Sequence, residues 1–145
     1  MTDFRQLSAQ VWASPQITPA EVAEAKRLGF AAIINNRPDN EAPDQPPGAE
    51  IETAARAAGL AYHAIPIGHS GFSEDQVSDM AELLGQYSGP VLAYCRSGTR
   101  STLLWALAQA SIGGDPAALS ESAEEAGYSL APIAPVLNRL AERAR

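Results

Sequence analysis

Cysteine is almost absent from this chain: Cys95 is the only one in 145 residues. A single thiol cannot close an internal disulfide, and without a thiolate cluster there is no cysteine-based zinc site. Histidine is nearly as scarce, with only His63 and His69. Two imidazoles among scattered carboxylates form no recognisable ligand spacing, so neither a metal nor a cofactor is expected. Positive charge is also short, 10 Lys and Arg against 17 Asp and Glu, for a formal net charge of -7. Such a surface repels phosphodiester backbones and anionic headgroups, which argues against nucleic acid or a membrane as partner. No run approaches the roughly 20 apolar residues of a membrane span, and MTDFRQLSAQ lacks the basic-then-apolar pattern of a secretory signal. The expected compartment is the cytoplasm.

What is present suits a soluble globular protein: 46% of residues are hydrophobic and 19% charged. The length fits one domain, taken as residues 1–145. FRQL and VWASP alternate like two small strands or a ragged hairpin. TPAEVAEAKRLG predicts a helix in which Thr18 caps, Pro19 occupies the first turn, Glu21 completes the capping box and Gly29 ends the segment. Val22, Ala25 and Leu28 share one face of it. FAAIINN is an unbroken apolar run of the kind found in a parallel strand covered on both sides. The next segment, RPDNEAPDQPPG, holds four prolines in twelve residues and predicts a loop.

A helix over about 49–58, stopped by Gly59, leads into the strand AYHAIPI. After the loop GHSGF, the helix SEDQVSDMAELLGQY opens with Ser73 and Gln76 at capping-box spacing and buries Val77, Met80, Ala81 and Leu84. The strand VLAY then runs directly into Cys95. STLLWALAQASIGG predicts a well-buried helix, because Leu103, Leu104, Trp105 and Leu107 leave little of its circumference polar. Asp115 and Pro116 start another helix that Gly127 ends, and APIAPVLNRLAERAR closes the chain with Ile133, Val136, Leu137 and Leu140 at helical spacing. Strands alternating with helices predict an α/β architecture of three layers, with a mostly parallel sheet of four or five strands.

Ligands of such sheets bind beyond the carboxyl ends of the strands, where Cys95 stands ahead of a helix. In CRSGTRS, Gly98 permits a tight turn, the amides of Ser97 to Arg100 can point inward, and the helix N-terminus adds partial positive charge. Arg96 and Arg100 supply two more cations. All of these favour a thiolate over the free thiol, whose pKa is about 8.5. A lone cysteine after a strand is commonly a small buried hydrophobe. The glycine and two arginines within five residues shift that balance toward a reactive thiol.

YCRSGTRS resembles the active loop of rhodaneses, and also that of cysteine-dependent phosphatases, although four residues rather than five separate Cys95 from Arg100. GFAAIINNRPDNE, YHAIPIGHSGFSEDQV and VLAYCRSGTRSTLLWA, in that order, are similar to the dual-specificity phosphatase layout over roughly residues 10–112. Together with GYSLAPI at 127–133, the set resembles a bacterial family described as the beta-lactamase-hydrolase-like, phosphatase-like domain, also known as a sulfur transferase family. That family occurs alone or fused to a metallo-beta-lactamase-type persulfide dioxygenase.

The resemblance implies a cysteine-phosphatase fold and leaves two chemistries. A phosphatase needs an acid for the leaving oxygen. The layout puts His69 at the aspartate's usual place, with Asp39 and Asp44 as other candidates. Both aspartates are read first as solvated turn residues. A sulfurtransferase needs no such acid: the thiolate takes the outer sulfur of a donor such as thiosulfate and yields it to a thiol, plausible acceptors being glutathione or a small protein thiol. The shorter loop favours this reading. Cys95 and Arg100 are then catalytic, while Arg96, Ser97, Gly98, Thr99, Ser101 and His69 are the binding residues. Ser101 is also expected to cap the helix, and His63 to be structural. The implied partners are a small anionic sulfur donor, a thiol acceptor and a separate persulfide dioxygenase. A phosphatase for protein tyrosine or a small phosphoester is the alternative, and a persulfide- or anion-sensing module the third reading.

Overall fold

Five short strands and six helices make up the protein, which a computed structural model describes over residues 2–144. β1 (Arg5–Gln6) and β2 (Val11–Ser14) form the antiparallel hairpin read from FRQL and VWASP. The other pairings are parallel. With β3 (Ala32–Asn35), β4 (Ala61–Ala64) and β5 (Val91–Tyr94), the sheet runs β1-β2-β5-β3-β4.

The two-residue period of the strands sorts their side chains into two cores. Ala32, Ile34, Val91 and Ala93 face α3 (Glu74–Gln86), α4 (Thr99–Ser111), α5 (Pro116–Glu125) and α6 (Ala134–Arg143). Ile33, Leu92 and Tyr94 face α1 (Pro19–Arg27) and α2 (Gly48–Ala57). The result is the expected three-layer α/β arrangement. β5 is central and wholly buried, as its apolar run requires.

Both predicted capping boxes form. Thr18 accepts from the Glu21 amide and Ser73 from the Gln76 amide, each with the reciprocal bond from the third residue back to the cap. α4 carries nine buried residues because it lies between the sheet, α3, α5 and α6.

Four expectations need correction. Leu28 is 50% exposed, since it is the C-cap of α1 and lies beyond the turn that packs. Val136 is 38% exposed at the margin of α6's apolar face. The final segment is not one helix: a 3-10 turn at Ala131–Ile133 precedes α6, and Pro132 and Pro135 fall at the first turns of the two pieces. α4 starts at Thr99, two residues earlier than the sequence suggests, with Gly98 as its N-cap. None of the described helices is long and apolar enough to cross a membrane.

Candidate active site

Six polar or charged residues are buried among those described, and all lie near one end of the sheet: Ser14, Asn35, Asn36, Arg37, Ser101 and Thr102. Ser14 ends β2, Asn35 ends β3, and Ser101 and Thr102 belong to the first turn of α4. Burying polar groups is unfavourable unless they are paired, so this concentration marks an organised site. Cys95 sits within it.

Cys95 leaves β5 with its amide bonded to the Ser14 carbonyl at 3.3 Å. Its thiol is fully buried, and Sγ accepts the Gly98 N–H at 3.1 Å. Gly98 has φ +93°, a left-handed conformation that glycine adopts without steric penalty. The Thr99 amide turns instead to Ser97 Oγ, whose hydroxyl donates to Thr99 Oγ1 at 2.9 Å. Of the amides expected around the sulfur, the Gly98 amide is the one bonded to it. Ser97 is exposed, and its side chain and that of Thr99 bond to each other.

Ser101 does not cap α4. It is the third residue of the helix, fully buried, and its hydroxyl donates to Asn36 Oδ1 at 2.8 Å. Asn36 in turn donates through Nδ2 to the Ile65 carbonyl at 2.9 Å. This chain fastens the start of α4 to the ends of β3 and β4. Thr102 returns its hydroxyl to the Gly98 carbonyl and closes the first turn.

Arg100 is the better-anchored cation. Its Nη1 donates to Glu41 Oε2 at 2.7 Å and to the Ile67 carbonyl at 2.6 Å, and its Nη2 donates to Glu41 Oε1 at 2.9 Å. A guanidinium has five N–H donors, so Nε–H and the second Nη2–H are left uncommitted to any oxygen among the described residues. Glu41 and the neighbouring Cys95 both raise its pKa, Glu41 more strongly. Arg37 also binds Glu41, through Nε at 2.9 Å, and reaches Gln16 Oε1 at 3.0 Å. Between these two arginines the Glu41 carboxyl is held down at about 2, with Arg100 the larger influence. It is ionised at neutral pH.

The Arg96 carbonyl accepts the Gln16 amide at 3.2 Å, and its exposed side chain has no hydrogen-bonding or ion-pair partner among the described residues. A cleft of about 540 Å³ opens beside it, lined by Pro38, Asn40, Glu41, Gly68, His69, Arg96 and Arg100. His69 lies in this cleft. Asp39 does not line it: its Oδ1 accepts the Gly48 amide at 2.8 Å and caps α2, where Pro47 has no side chain able to do so. Asp44 is exposed and also outside the lining. His63 is bonded through Nε2 to the Tyr87 hydroxyl, and burial lowers its pKa, with Arg56 a smaller cause. No trio of His, Cys, Asp or Glu among the described residues is placed to hold a metal.

Three contributors escaped the sequence reading. Glu41 was hidden in the proline-rich loop, although its place four residues after Arg37 was a pairing signal. Asn36 reads in sequence as the polar end of a strand. Tyr128 lies 33 residues beyond Cys95, and its hydroxyl donates to the Ser97 carbonyl at 3.1 Å.

Comparison with known proteins bears on the family and the fold. The family described as "Beta-lactamase hydrolase-like protein, phosphatase-like domain" matches residues 3–112. The beta-lactamase hydrolase-like protein of Xylella fastidiosa is 38% identical over 96 residues, 66% of this chain and 22% of that protein. The chain therefore spans about a fifth of that relative's length. Among solved structures, a proposed phosphatase of Neisseria meningitidis has a TM-score of 0.84 at 33% identity, covering 97% of this chain and 99% of that one. Tk-PTP in its active form has a TM-score of 0.72 at 23% identity, covering 97% of each chain, and bears on the fold alone.

Proposed function

The chain belongs to the beta-lactamase hydrolase-like protein, phosphatase-like domain family, and from that premise we propose that Cys95 is the nucleophile of a sulfurtransferase acting on a small anionic donor. The thiolate attacks the outer sulfur of thiosulfate, and the sulfur–sulfur bond breaks with its electron pair leaving on sulfite. An acceptor thiolate then takes the outer sulfur of the Cys95 persulfide and releases the original thiolate. Arg100 offers its Nε–H and second Nη2–H to two donor oxygens, and Arg96 draws the anion into the cleft. The same reading takes residues 1–145 as one working domain.

What supports sulfur transfer is that Glu41, the carboxyl beside Arg100, is engaged by two arginines and held as an anion, so it offers no proton to a leaving group. A phosphatase cleaving an unactivated ester needs a proton donor for the leaving oxygen. Sulfite leaves as an anion and needs none.

The alternative, a cysteine-dependent phosphatase, is the reading that the comparisons favour. The Neisseria relative is named as a proposed phosphatase, and the same Arg100 donors suit phosphoryl oxygens equally well. Under it, His69 in the cleft is the candidate donor. Incubation with thiosulfate and cyanide, in parallel with an aryl phosphate, separates the two. Thiocyanate that forms with the natural protein and vanishes in Cys95→Ser supports sulfur transfer. Phosphate release without thiocyanate replaces it with the phosphatase.

A further inference from the structure

Tyr128 lies outside the residues matched by the family, yet its hydroxyl reaches the cysteine loop. It donates to the Ser97 carbonyl at 3.1 Å, and the N–H of that same peptide unit belongs to Gly98, which donates to Cys95 Sγ at 3.1 Å. A peptide group is planar and trans, so holding its oxygen sets the direction of its N–H. A hydrogen bond on the carbonyl also polarises the amide and strengthens what the N–H donates. The path runs from Tyr128 Oη through one rigid peptide to the sulfur.

Two glycines make the arrangement possible. A Cβ at Gly98 would fall on the Tyr128 hydroxyl. A Cβ at Gly127 would lie 2.9 Å from Arg5 Nη1. Through the space left at Gly127, Arg5 comes over the Tyr128 ring, 5.2 Å from its centroid, and donates to the Ala126 carbonyl at 3.3 Å. Arg5 belongs to β1, so the first strand and the turn after α5 together hold the tyrosine against the loop. The cation over the ring keeps the phenol in place.

We propose that Tyr128, seated by Arg5, is a positioning residue that aims the Gly98 amide at Cys95 and so sets the reactivity of the thiol. The inference rests on Cys95 being the nucleophile but not on which group it transfers.

The test is Tyr128→Phe, which keeps the ring and its contact with Arg5 and removes only the hydroxyl. The Gly98 amide resonance in a nitrogen-15 correlation spectrum should move and its hydrogen exchange quicken. Iodoacetamide alkylation of Cys95 at one fixed pH should change by roughly five- to tenfold, the scale of one net hydrogen bond. The melting temperature should stay within a few degrees. Arg5→Met, at a part-exposed site, gives a second variant and should move the same amide less far. An unmoved Gly98 amide in both variants, or a moved amide with unchanged alkylation, overturns the proposal. Neither readout needs turnover, so a failure of the sulfurtransferase and phosphatase assays leaves this test intact, and the reverse also holds.

Discussion

Glu41 joins two arginines that would otherwise repel each other across the mouth of the site. Replacing it by Gln leaves Arg37, 5% exposed, as a buried cation without its carboxylate. Breaking a buried pair from one side typically costs about 3–5 kcal/mol. Glu41→Gln should therefore lower stability by an amount toward the lower end of that range, since Glu41 keeps some solvent contact, and reduce kcat/KM by freeing Arg100. Urea denaturation and steady-state kinetics measure the two effects. The carboxyl also makes stability pH-dependent. Its folded pKa is depressed to about 2 from the ordinary 4.5, so its contribution is complete above about 4.5 and is lost as pH falls toward 2. Denaturation curves across that window should show a slope that Glu41→Gln removes.

Gly98 is the other residue whose replacement has a defined outcome. Alanine there must hold φ near +93° and displace the Tyr128 hydroxyl. The left-handed backbone alone costs a non-glycine residue roughly 1–2 kcal/mol. Gly98→Ala should lower the melting temperature and alter Cys95 alkylation together, whereas a change in only one would separate loop strain from the Tyr128 contact.

Among the elements, α4 depends most on its first turn. Its N-cap, Gly98, has no side chain, so the capping bonds available to α1 and α3 are missing. Ser101 and Thr102 anchor the turn instead, the first across to Asn36 and the second back to Gly98. Ser101→Ala leaves Asn36 Oδ1 buried without its donor and should cost about 1–3 kcal/mol. Thr18→Ala or Ser73→Ala removes an exposed capping box and should cost about 1 kcal/mol, with no change at the site. Thermal unfolding and Cys95 alkylation, measured on all three variants, check the contrast: only Ser101→Ala should affect both.

The legibility of these elements followed the range of the forces that make them. Capping boxes, the proline-rich break and the apolar runs of β3 and β5 are local patterns and were readable. The start of α4 was misplaced because a glycine N-cap leaves no side-chain signal. Leu28 and Val136 satisfied helical spacing but fell at a helix end and a face margin, which spacing alone does not reveal. At the site, Cys95, Gly98, Arg96 and Arg100 were legible because one short loop carries them, while Glu41 and Tyr128 come from distant segments.

For the molecule as a whole, the C-terminal helices complete the core on which the site rests. Leu137 of α6 is buried among residues that also include Leu104 and Leu107 of α4. Leu137→Ala creates a cavity there and should cost about 2–5 kcal/mol. If the site and this core unfold together, calorimetry and loss of turnover on heating will give the same midpoint.

The sequence by itself determined the alternation of strands and helices, the single cysteine and the charge around its loop, because these depend on neighbours within a few residues. The fold decided the partners of those groups. It spent Asp39 on a helix cap, turned Ser101 toward Asn36, ionised Glu41 between two arginines and brought Tyr128 onto the peptide behind the sulfur. Hydrogen bonds and ion pairs act over a few ångströms of space, and only the folded chain makes residues 41, 95 and 128 near in that sense.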